Sequence, residues 1–172
     1  RVALLIGNAN YQNETILANP VNDAELLAKT FKDISFDQVI VLKNANRVQI
    51  NTALAQFKKL TKDADVAVVY YSGHGMMSSN KQNFVLPTDM PKLANTANAD
   101  LDLELENNAI SADKMVDVLS GSKIKVLILD ACRDGPTAKF KSANKGLARM
   151  SQAETKGMLI AYATEEGKVA ED

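Results

Sequence analysis

The strongest constraint on the fold of this chain is a repeated alternation of short apolar runs with segments of helical hydrophobic spacing. Runs dominated by apolar residues occupy positions 2–6, 39–42, 66–71, 124–129 and 157–163. Between them, apolar side chains recur every three or four positions over residues 21–31, 48–60 and 111–119, as on the buried face of a helix. Parallel strands that are covered on both faces have such apolar sequences. The alternation therefore predicts an α/β fold with a mostly parallel central sheet flanked by helices.

The length and the charge of the chain limit the partners that can be expected. With 172 residues it is long enough to bury one core, so residues 1–172 are predicted to form a single domain. Its 20 Lys and Arg residues nearly balance its 21 Asp and Glu residues, which gives no electrostatic reason to expect a nucleic-acid or membrane partner. No apolar run approaches the ~18 residues that a membrane-spanning helix needs. We therefore expect a soluble domain with neither kind of partner.

Cys132 and His74 are the sole cysteine and the sole histidine of the sequence. One cysteine allows no internal disulfide, and one of each residue excludes a structural zinc site with the usual four Cys and His ligands. Taken alone, either residue would more often have a structural role, because an isolated cysteine behaves as a small buried hydrophobe.

The positions of these two residues along the predicted strands indicate a catalytic pair. His74 follows the third apolar run and Cys132 follows the fourth. Because ligands bind beyond the carboxyl ends of the strands in an open parallel sheet, both residues are expected at the active-site edge. Two independent structural explanations would have to coincide there, so we interpret His74 and Cys132 as catalytic.

A cysteine and a histidine that lie side by side can supply nucleophilic catalysis. A free thiol has a pKa of ~8.5 and becomes an effective nucleophile when a neighbouring imidazole accepts its proton. The imidazole then donates a proton to the leaving amine. Backbone N–H groups at the predicted tight turns of Gly75 and Cys132 are the expected donors to the oxyanion, and Gly73 also suits a sharp turn.

Two motifs connect the sequence to a known family. They are Tyr-Ser-Gly-His-Gly at residues 71–75 and Asp-Ala-Cys-Arg at residues 130–133. In this order, after consecutive strands, they resemble the caspase-like cysteine peptidases, and most of all the bacterial orthocaspases and the metacaspases. Further similar segments lie at residues 5–8, 17–24, 86–89 and 161–164. The resemblance implies a three-layer caspase-like sandwich and a cysteine endopeptidase with Cys132 as nucleophile, His74 as acid–base catalyst and no required cofactor.

The sequence departs from the animal caspases at positions that bear on specificity. Their signature has Gln two residues before the catalytic Cys and Gly two residues after it, where this chain has Asp130 and Asp134. The histidine of that signature lies about 50 residues upstream, and here the separation between positions 74 and 132 is 58 residues. Animal caspases hold the Asp of a substrate with basic side chains, whereas residues 16–18, in the loop that carries one of them, contain none.

Similarity to the metacaspases implies instead an acidic pocket for the residue before the cleaved bond. Asp23 and Asp130 occupy positions that line this pocket, and Ser72 corresponds to a third pocket residue. The implied substrates are peptides or proteins with Arg or Lys before the cut. Structural alternatives remain open for both acids: an exposed carboxylate in the first turn of a helix for Asp23, and a carboxylate that caps a loop for Asp130.

Two polar segments suggest regulation. Residues 134–156 are rich in Lys and Arg and lie where caspase-like enzymes carry a cleavable linker, so we interpret them as a candidate processing linker, with Lys145 and Arg149 as the first choices for self-cleavage. Residues 100–106 have four acids at alternating positions. These would share one face of an extended strand and would suit calcium, although a solvated edge-strand face is the simpler interpretation.

Three other classes of protein remain as alternatives. A non-catalytic caspase-like interaction module would usually have lost the His or the Cys. A thiol redox enzyme would need a second cysteine, and an unrelated hydrolase of similar fold would be expected to carry Gly-x-Ser-x-Gly; the sequence has neither. The chain begins at Arg1 rather than Met and stops at Asp172, and relatives usually continue into another strand and helix, so we expect a fragment or a processed form.

Overall fold

Strands and helices alternate along residues 1–93, 98–132 and 157–162, which this structure, a computed structural model, describes. Within these ranges the strands are β1 (Val2–Gly7), β2 (Gln38–Lys43), β3 (Val66–Met77), β4 (Asn83–Val85), β5 (Ile110–Ser111), β6 (Ile124–Cys132) and β7 (Met158–Tyr162). The α-helices in the same ranges are α1 (Pro20–Asp33), α2 (Arg47–Leu60), α3 (Asn98–Asn108) and α4 (Ala112–Asp117). All five predicted strands are present, and the three predicted helices correspond to α1, α2 and α4.

The strand β3 lies at the centre of the sheet. Strands β2, β1, β3, β6 and β7 lie side by side in that order, and every neighbouring pair is parallel. The carboxyl end of β3 also pairs with β4 in antiparallel orientation, and β4 pairs with β5 in the same way. Parallel neighbours need a crossover connection, usually a helix, which explains why helices cover the sheet. The mostly parallel sheet predicted from the sequence is confirmed.

Helices cover the parallel sheet on both faces. On one face, Ala24 and Ala28 of α1 pack against β1 and β3. On the other face, α2 and α4 bury Leu54, Phe57 and Met115, and each side chain of this size stabilises the fold by ~1.5–3 kcal/mol when it is fully buried. The result is the three-layer sandwich expected from the sequence, a mostly parallel sheet between layers of helices. Within the described ranges, no helix combines the length and the apolar character needed to span a membrane.

Local hydrogen bonds fix where α2 and α4 begin. The side chain of Asn46 accepts from the N–H of Gln49 at 2.9 Å, and the side chain of Gln49 accepts from the N–H of Asn46 at 2.9 Å. This capping box starts α2 at Arg47. The side chain of Ser111 accepts from the N–H of Lys114 at 3.3 Å, so the predicted N-cap of α4 is confirmed. Caps of this kind contribute ~1 kcal/mol each.

The acidic run at residues 100–106 lies on a helix, so the extended strand considered for it is wrong. In α3, Leu101 and Leu105 are buried while Leu103 is exposed. A spacing of four residues places Leu101 and Leu105 on one helical face, whereas the two-residue alternation of acids and leucines imitates a strand. Because successive residues turn by about 100° around a helix, the four acids do not share a face. The geometric argument for calcium at this run therefore does not hold.

Candidate active site

Asn8, in the loop after β1, joins the carboxyl ends of several strands. It is fully buried, and its side-chain amide donates to the carbonyls of Ala45 and Leu86 at 3.2 Å each. Its side-chain oxygen accepts from the N–H of Ala45 at 2.8 Å, and its backbone N–H donates to the carbonyl of Ser72 at 2.9 Å. Asn8 thereby fixes the loops after β1, β2 and β4 relative to β3 at this edge of the sheet.

Gly7 brings the start of α1 to the same edge. A Cβ atom at this position would lie 2.3 Å from the carbonyl oxygen of Pro20, the first residue of α1. Such a distance is well inside van der Waals contact, so the close approach requires glycine. The first turn of α1, which carries Asp23, is therefore held against the end of β1.

His74 lies inside β3 rather than after its end, because the strand continues to Met77. The continuation is stabilised by β4, since the N–H of Leu86 donates to the carbonyl of His74 at 2.9 Å. The predicted distortion of the backbone occurs at Gly73, whose φ of +152° is a conformation that glycine adopts readily. His74 itself is fully buried.

The ring of His74 is held by the loop between β1 and α1. Its Nε2 lies 2.7 Å from the carbonyl oxygen of Thr15. Because a carbonyl only accepts hydrogen bonds, Nε2 carries the proton, and Nδ1 holds the lone pair of the neutral ring. The ring of Tyr11 packs against the imidazole, with centroids 4.5 Å apart and planes at 48°. This tautomer makes Nδ1 the basic nitrogen that a general base requires.

The backbone of Cys132 lies beside that of His74. Cys132 is the last residue of β6, and it is in register with His74 in the parallel pairing of β3 with β6. Neighbouring strands are ~4.8 Å apart. The fold therefore brings the two residues together at the carboxyl edge of the sheet, which is where the sequence analysis expects them.

Gly75 is a regular residue of β3, so the tight turn predicted there is wrong. It lies opposite Val85 in the antiparallel pairing with β4. The hydrogen bond from Leu86 to the carbonyl of His74 shows that Gly75 and Val85 form a non-hydrogen-bonded pair of this ladder. The N–H of Gly75 is therefore not used by β4 and faces away from it.

Tyr70 connects the three residues predicted to line an acidic pocket. Its hydroxyl donates to Oδ2 of Asp130 at 3.2 Å, and Ser72 lies opposite Asp130 in the register of β3 with β6. Burial raises the pKa of Tyr70, while a hydrogen bond with Ser72 lowers it. The negative charges of Asp130 and Asp23 raise the pKa of Tyr70 further. The pKa of the Tyr70 hydroxyl thus depends on Ser72, Asp130 and Asp23.

Three contributors to this region, Tyr70, Tyr11 and Thr15, were not predicted from the sequence. Tyr70 precedes Ser72 by two residues on β3, and alternate residues of a strand share a face, so the strand periodicity could have found it. Thr15 contributes a backbone carbonyl. Any residue type supplies that group, so the sequence carries no corresponding signal.

The remaining predictions concern the candidate processing linker, the acids of α3 and metal binding. Lys145 and Arg149, with the whole candidate processing linker, lie outside the described residues. On α3, Asp102 accepts a hydrogen bond from the N–H of Ser79 at 2.8 Å. Over residues 1–93, 98–132 and 157–162, no group of three or more His, Cys, Asp or Glu side chains is arranged to hold a metal ion.

Comparisons with known proteins identify relatives of this chain. A family model described as the caspase domain matches residues 1–172. Mucosa-associated lymphoid tissue lymphoma translocation protein 1 of Homo sapiens is 25% identical over 135 residues, and its homolog of Mus musculus is 24% identical over the same length. Each alignment covers 77% of this chain, which spans 15% of the length of either relative.

A solved structure shares the fold. Protein GSU0716 from Geobacter sulfurreducens superposes with a TM-score of 0.54 at 19% sequence identity. The match covers 91% of this chain and 59% of that protein. At this identity the likeness concerns the fold alone, a mostly parallel sheet between layers of helices.

Proposed function

The chain belongs to the caspase domain family, and from this premise we propose that it is a cysteine endopeptidase that hydrolyses peptide bonds after Arg or Lys. The observation that carries the proposal is the register of β3 with β6, in which His74 and Cys132 are direct neighbours. They are also the only histidine and the only cysteine of the sequence, so no second pair of this kind competes for the role. Peptides or proteins are the proposed substrates.

In the proposed acylation step, His74 is the general base and Cys132 is the nucleophile. Nδ1 accepts the proton of the thiol, while the carbonyl of Thr15, 2.7 Å from Nε2, stabilises the imidazolium that forms. The thiolate sulfur bonds to the carbonyl carbon of the scissile peptide, and an electron pair moves to the carbonyl oxygen. His74 then donates its proton to the leaving nitrogen as the C–N bond breaks, which leaves a thioester on Cys132.

Deacylation repeats these steps with water as the nucleophile. His74 removes a proton from water, the hydroxide attacks the thioester, and the sulfur leaves and regains a proton. In both steps the negatively charged oxygen is proposed to accept hydrogen bonds from the N–H groups of Gly75 and Cys132. The N–H of Gly75 is not used by β4 and faces β6, the strand that carries Cys132. Loss of one such donor typically lowers kcat by roughly 100- to 1,000-fold.

An acidic pocket accounts for the proposed specificity. Asp23 and Asp130 place two carboxylates near the hydroxyl of Tyr70, and Ser72 adds a neutral hydrogen-bonding group. A substrate Arg or Lys would pair with these carboxylates, whereas a substrate Asp would be repelled. Residues 16–18 add no basic side chain. Arg should be preferred to Lys, because its planar guanidinium can bind a carboxylate through two hydrogen bonds.

A matched set of fluorogenic peptides tests the proposal. The peptides differ only in the residue before the scissile bond, which is Arg, Lys, Asp or Leu. We expect the Arg peptide to be cleaved fastest, the Lys peptide next and the Asp peptide slowest. The highest rate on the Asp peptide would contradict the acidic pocket.

A thiol-directed covalent probe distinguishes the enzyme from a non-catalytic module of the same fold. An activated thiolate should react faster than free cysteine at the same pH. Labelling of Cys132 above that reference rate supports catalysis, and labelling no faster than the reference supports the module.

The proposed chemistry needs no cofactor, because a thiol, an imidazole and two backbone N–H groups complete it. Calcium would act as a regulator, and the acids of α3 that suggested it do not share one face. Rates measured with an excess of chelator and with added calcium decide this point. Equal rates mean that the ion has no role, and a rate that only calcium restores establishes a requirement.

We also propose self-processing within residues 134–156. A Lys or Arg in this segment satisfies the acidic pocket, and attachment to the enzyme gives it a high effective concentration. Lys145 and Arg149 are the preferred sites. Incubation of the active protein should produce two fragments, with the cut located by N-terminal sequencing, while Cys132→Ala should stay intact. Equal cleavage of the variant would indicate a contaminating protease.

A further inference from the structure

Two buried tyrosine hydroxyls lie within hydrogen-bond distance of the backbone of His74. Tyr11 comes from the loop after β1 and Tyr71 from β3, and their hydroxyl oxygens are 3.1 Å apart. The two residues are 6% and 0% exposed, respectively. We call these residues the tyrosine pair. Neither gains or loses a proton in the chemistry proposed above.

The tyrosine pair binds both backbone polar groups of His74. The N–H of His74 donates to the hydroxyl oxygen of Tyr11 at 2.8 Å. The hydroxyl of Tyr71 lies 2.8 Å from the carbonyl of His74 and 3.0 Å from that of Leu86. Because carbonyl oxygens only accept hydrogen bonds, the hydroxyl of Tyr71 is the donor to both of them. In the hydrogen bond between the two hydroxyls, Tyr11 is therefore the donor and Tyr71 the acceptor. The hydrogen bonds run in one direction, from the N–H of His74 through both hydroxyls to its own carbonyl.

The tyrosine pair also explains why glycine precedes His74. A Cβ atom at Gly73 would lie 2.5 Å from the hydroxyl oxygen of Tyr11 and 2.6 Å from that of Tyr71. The two hydroxyls thus occupy the volume that a side chain at Gly73 would need. The φ of +152° at Gly73 and the tyrosine pair are parts of one local arrangement.

The loop that supplies Tyr11 also holds the ring of His74. The ring of Tyr11 packs on the imidazole at 4.5 Å between centroids. Four residues later in the same loop, the carbonyl of Thr15 accepts from Nε2 at 2.7 Å. A displacement of Tyr11 would therefore disturb the backbone of His74 and the contact that selects its tautomer at the same time.

We propose that the tyrosine pair is a positioning device for His74, which holds the backbone of the histidine so that its ring keeps one place and one tautomer. The catalytic importance of this role rests on the proposed peptidase function, in which His74 is the acid–base catalyst. A displacement of about 1 Å at a reacting group can lower the rate by about a hundredfold. Since substrate binding is assigned to the acidic pocket, the effect should appear in kcat rather than in KM.

Two conservative variants, Tyr11→Phe and Tyr71→Phe, test the proposal because each removes one hydroxyl and keeps the ring. We expect kcat on the Arg peptide to fall by about 10- to 100-fold in either variant, with KM within about twofold of the parent. Phe57→Leu, on the buried face of α2, is the control for a general loss of stability. It should lower the melting temperature and leave kcat unchanged.

Nuclear magnetic resonance of the imidazole supplies a readout that needs no activity. His74 is the only histidine, so its ring nitrogen signals can be assigned directly. The parent should show a single neutral tautomer with the proton on Nε2. In Tyr11→Phe and Tyr71→Phe we expect a mixture of tautomers, and in Phe57→Leu the single tautomer of the parent.

The two readouts separate this proposal from the proposed function. A parent that cleaves no peptide but loses its single tautomer in the tyrosine variants would contradict the peptidase and support the positioning role. An active parent whose two tyrosine variants keep the tautomer and a kcat within twofold would overturn the positioning role. If Tyr11→Phe does not fold, Tyr71→Phe decides by the same measurements.

Discussion

His74 and the residues of the proposed acidic pocket lie at the same edge of the sheet, but the protein holds them in different ways. His74 is fully buried, and its N–H, its carbonyl and its Nε2 all bond to neutral groups. The pocket acids Asp23 and Asp130 are only partly buried, and Asp130 accepts from Tyr70 at 3.2 Å. The contacts of the histidine are therefore complete without a substrate, whereas the proposed pocket would complete its contacts when it binds the cationic side chain of a substrate.

This difference predicts how each side of the site responds to change. Exposed charges are screened by salt over ~10 Å at 0.1 M, while short neutral hydrogen bonds in a buried setting are not. Substitutions of His74 or of the residues that contact it, which we call the histidine side, should lower kcat on every peptide. Changes in the pocket should alter the choice among peptides, and this effect should weaken as salt is added.

Removal of a catalytic side chain should have the largest effect. Cys132→Ala and His74→Ala are expected to abolish hydrolysis of the Arg and Lys peptides alike, because loss of a catalytic nucleophile or base can cost on the order of a million-fold in kcat. Thermal denaturation should show that both variants still fold, with a lower midpoint for His74→Ala because a buried side chain is lost. More than a trace of activity in Cys132→Ala would mean that another residue is the nucleophile.

Removal of the pocket charges should have the next largest effect. The double variant Asp23→Asn with Asp130→Asn is expected to lower the ratio of kcat/KM for the Arg peptide to kcat/KM for the Leu peptide by about 10- to 100-fold, because a hydrogen bond to a charged group contributes ~1.5–3 kcal/mol. The Leu peptide should keep its parental rate, since the histidine side is unchanged. Asp33→Asn, at the exposed end of α1, is the matched control. An unchanged ratio in the double variant would refute the acidic pocket.

A smaller effect is expected at Tyr70. Tyr70→Phe removes the hydroxyl that donates to Asp130 and should raise KM for the Arg peptide by about tenfold, since a hydrogen bond to a charged group contributes at least ~1.5 kcal/mol. Steady-state kinetics on the Arg and Leu peptides check this expectation. If kcat on the Leu peptide fell as well, Tyr70 would also support the histidine side, and the two sides would not be independent.

The elements that could be predicted from the sequence are those whose pattern is local. The apolar run of β1 and the helical spacing of α2 each need only a dozen neighbouring residues to be recognised. The placement of His74 and Cys132 at one edge of the sheet could be predicted because each is the only residue of its type and follows a strand-like run. The parallel sheet then brings them to one edge without further information.

The features that could not be predicted depend on contacts between distant residues. The continuation of β3 through Gly73 and Gly75 requires pairing with β4, and glycine within a run normally predicts a turn. Tyr11 and Tyr71 meet although they are 60 positions apart. In α3, the local alternation of acids and leucines favours a strand, and the burial of Leu101 and Leu105 overrides it.

The smallest expected effect concerns Glu14, in the loop that holds His74. Its Oε1 is buried and accepts no hydrogen bond from the part of the chain that the structure describes, and burial raises the pKa of Glu14 from 4.5 to about 7. The folded protein therefore binds this proton more tightly than the unfolded chain does. Ionisation of Glu14 opposes folding, so the resulting loss of stability is absent below about pH 4.5, grows as the pH rises and is complete above about pH 7.

Glu14→Gln keeps the size of the side chain and removes its charge. Its melting temperature should equal that of the parent at pH 4 and exceed it by about 2 °C at pH 8, with Glu106→Gln on the exposed surface of α3 as a control that shows no such divergence. Equal stabilisation at both pH values would mean that the substitution acts through packing. If Glu14→Gln is not more stable than the parent at pH 8, the loop around His74 tolerates a negative charge as readily as the proposed acidic pocket does. The surroundings of His74 and of the pocket would then differ less in polarity than the neutral contacts of His74 suggest.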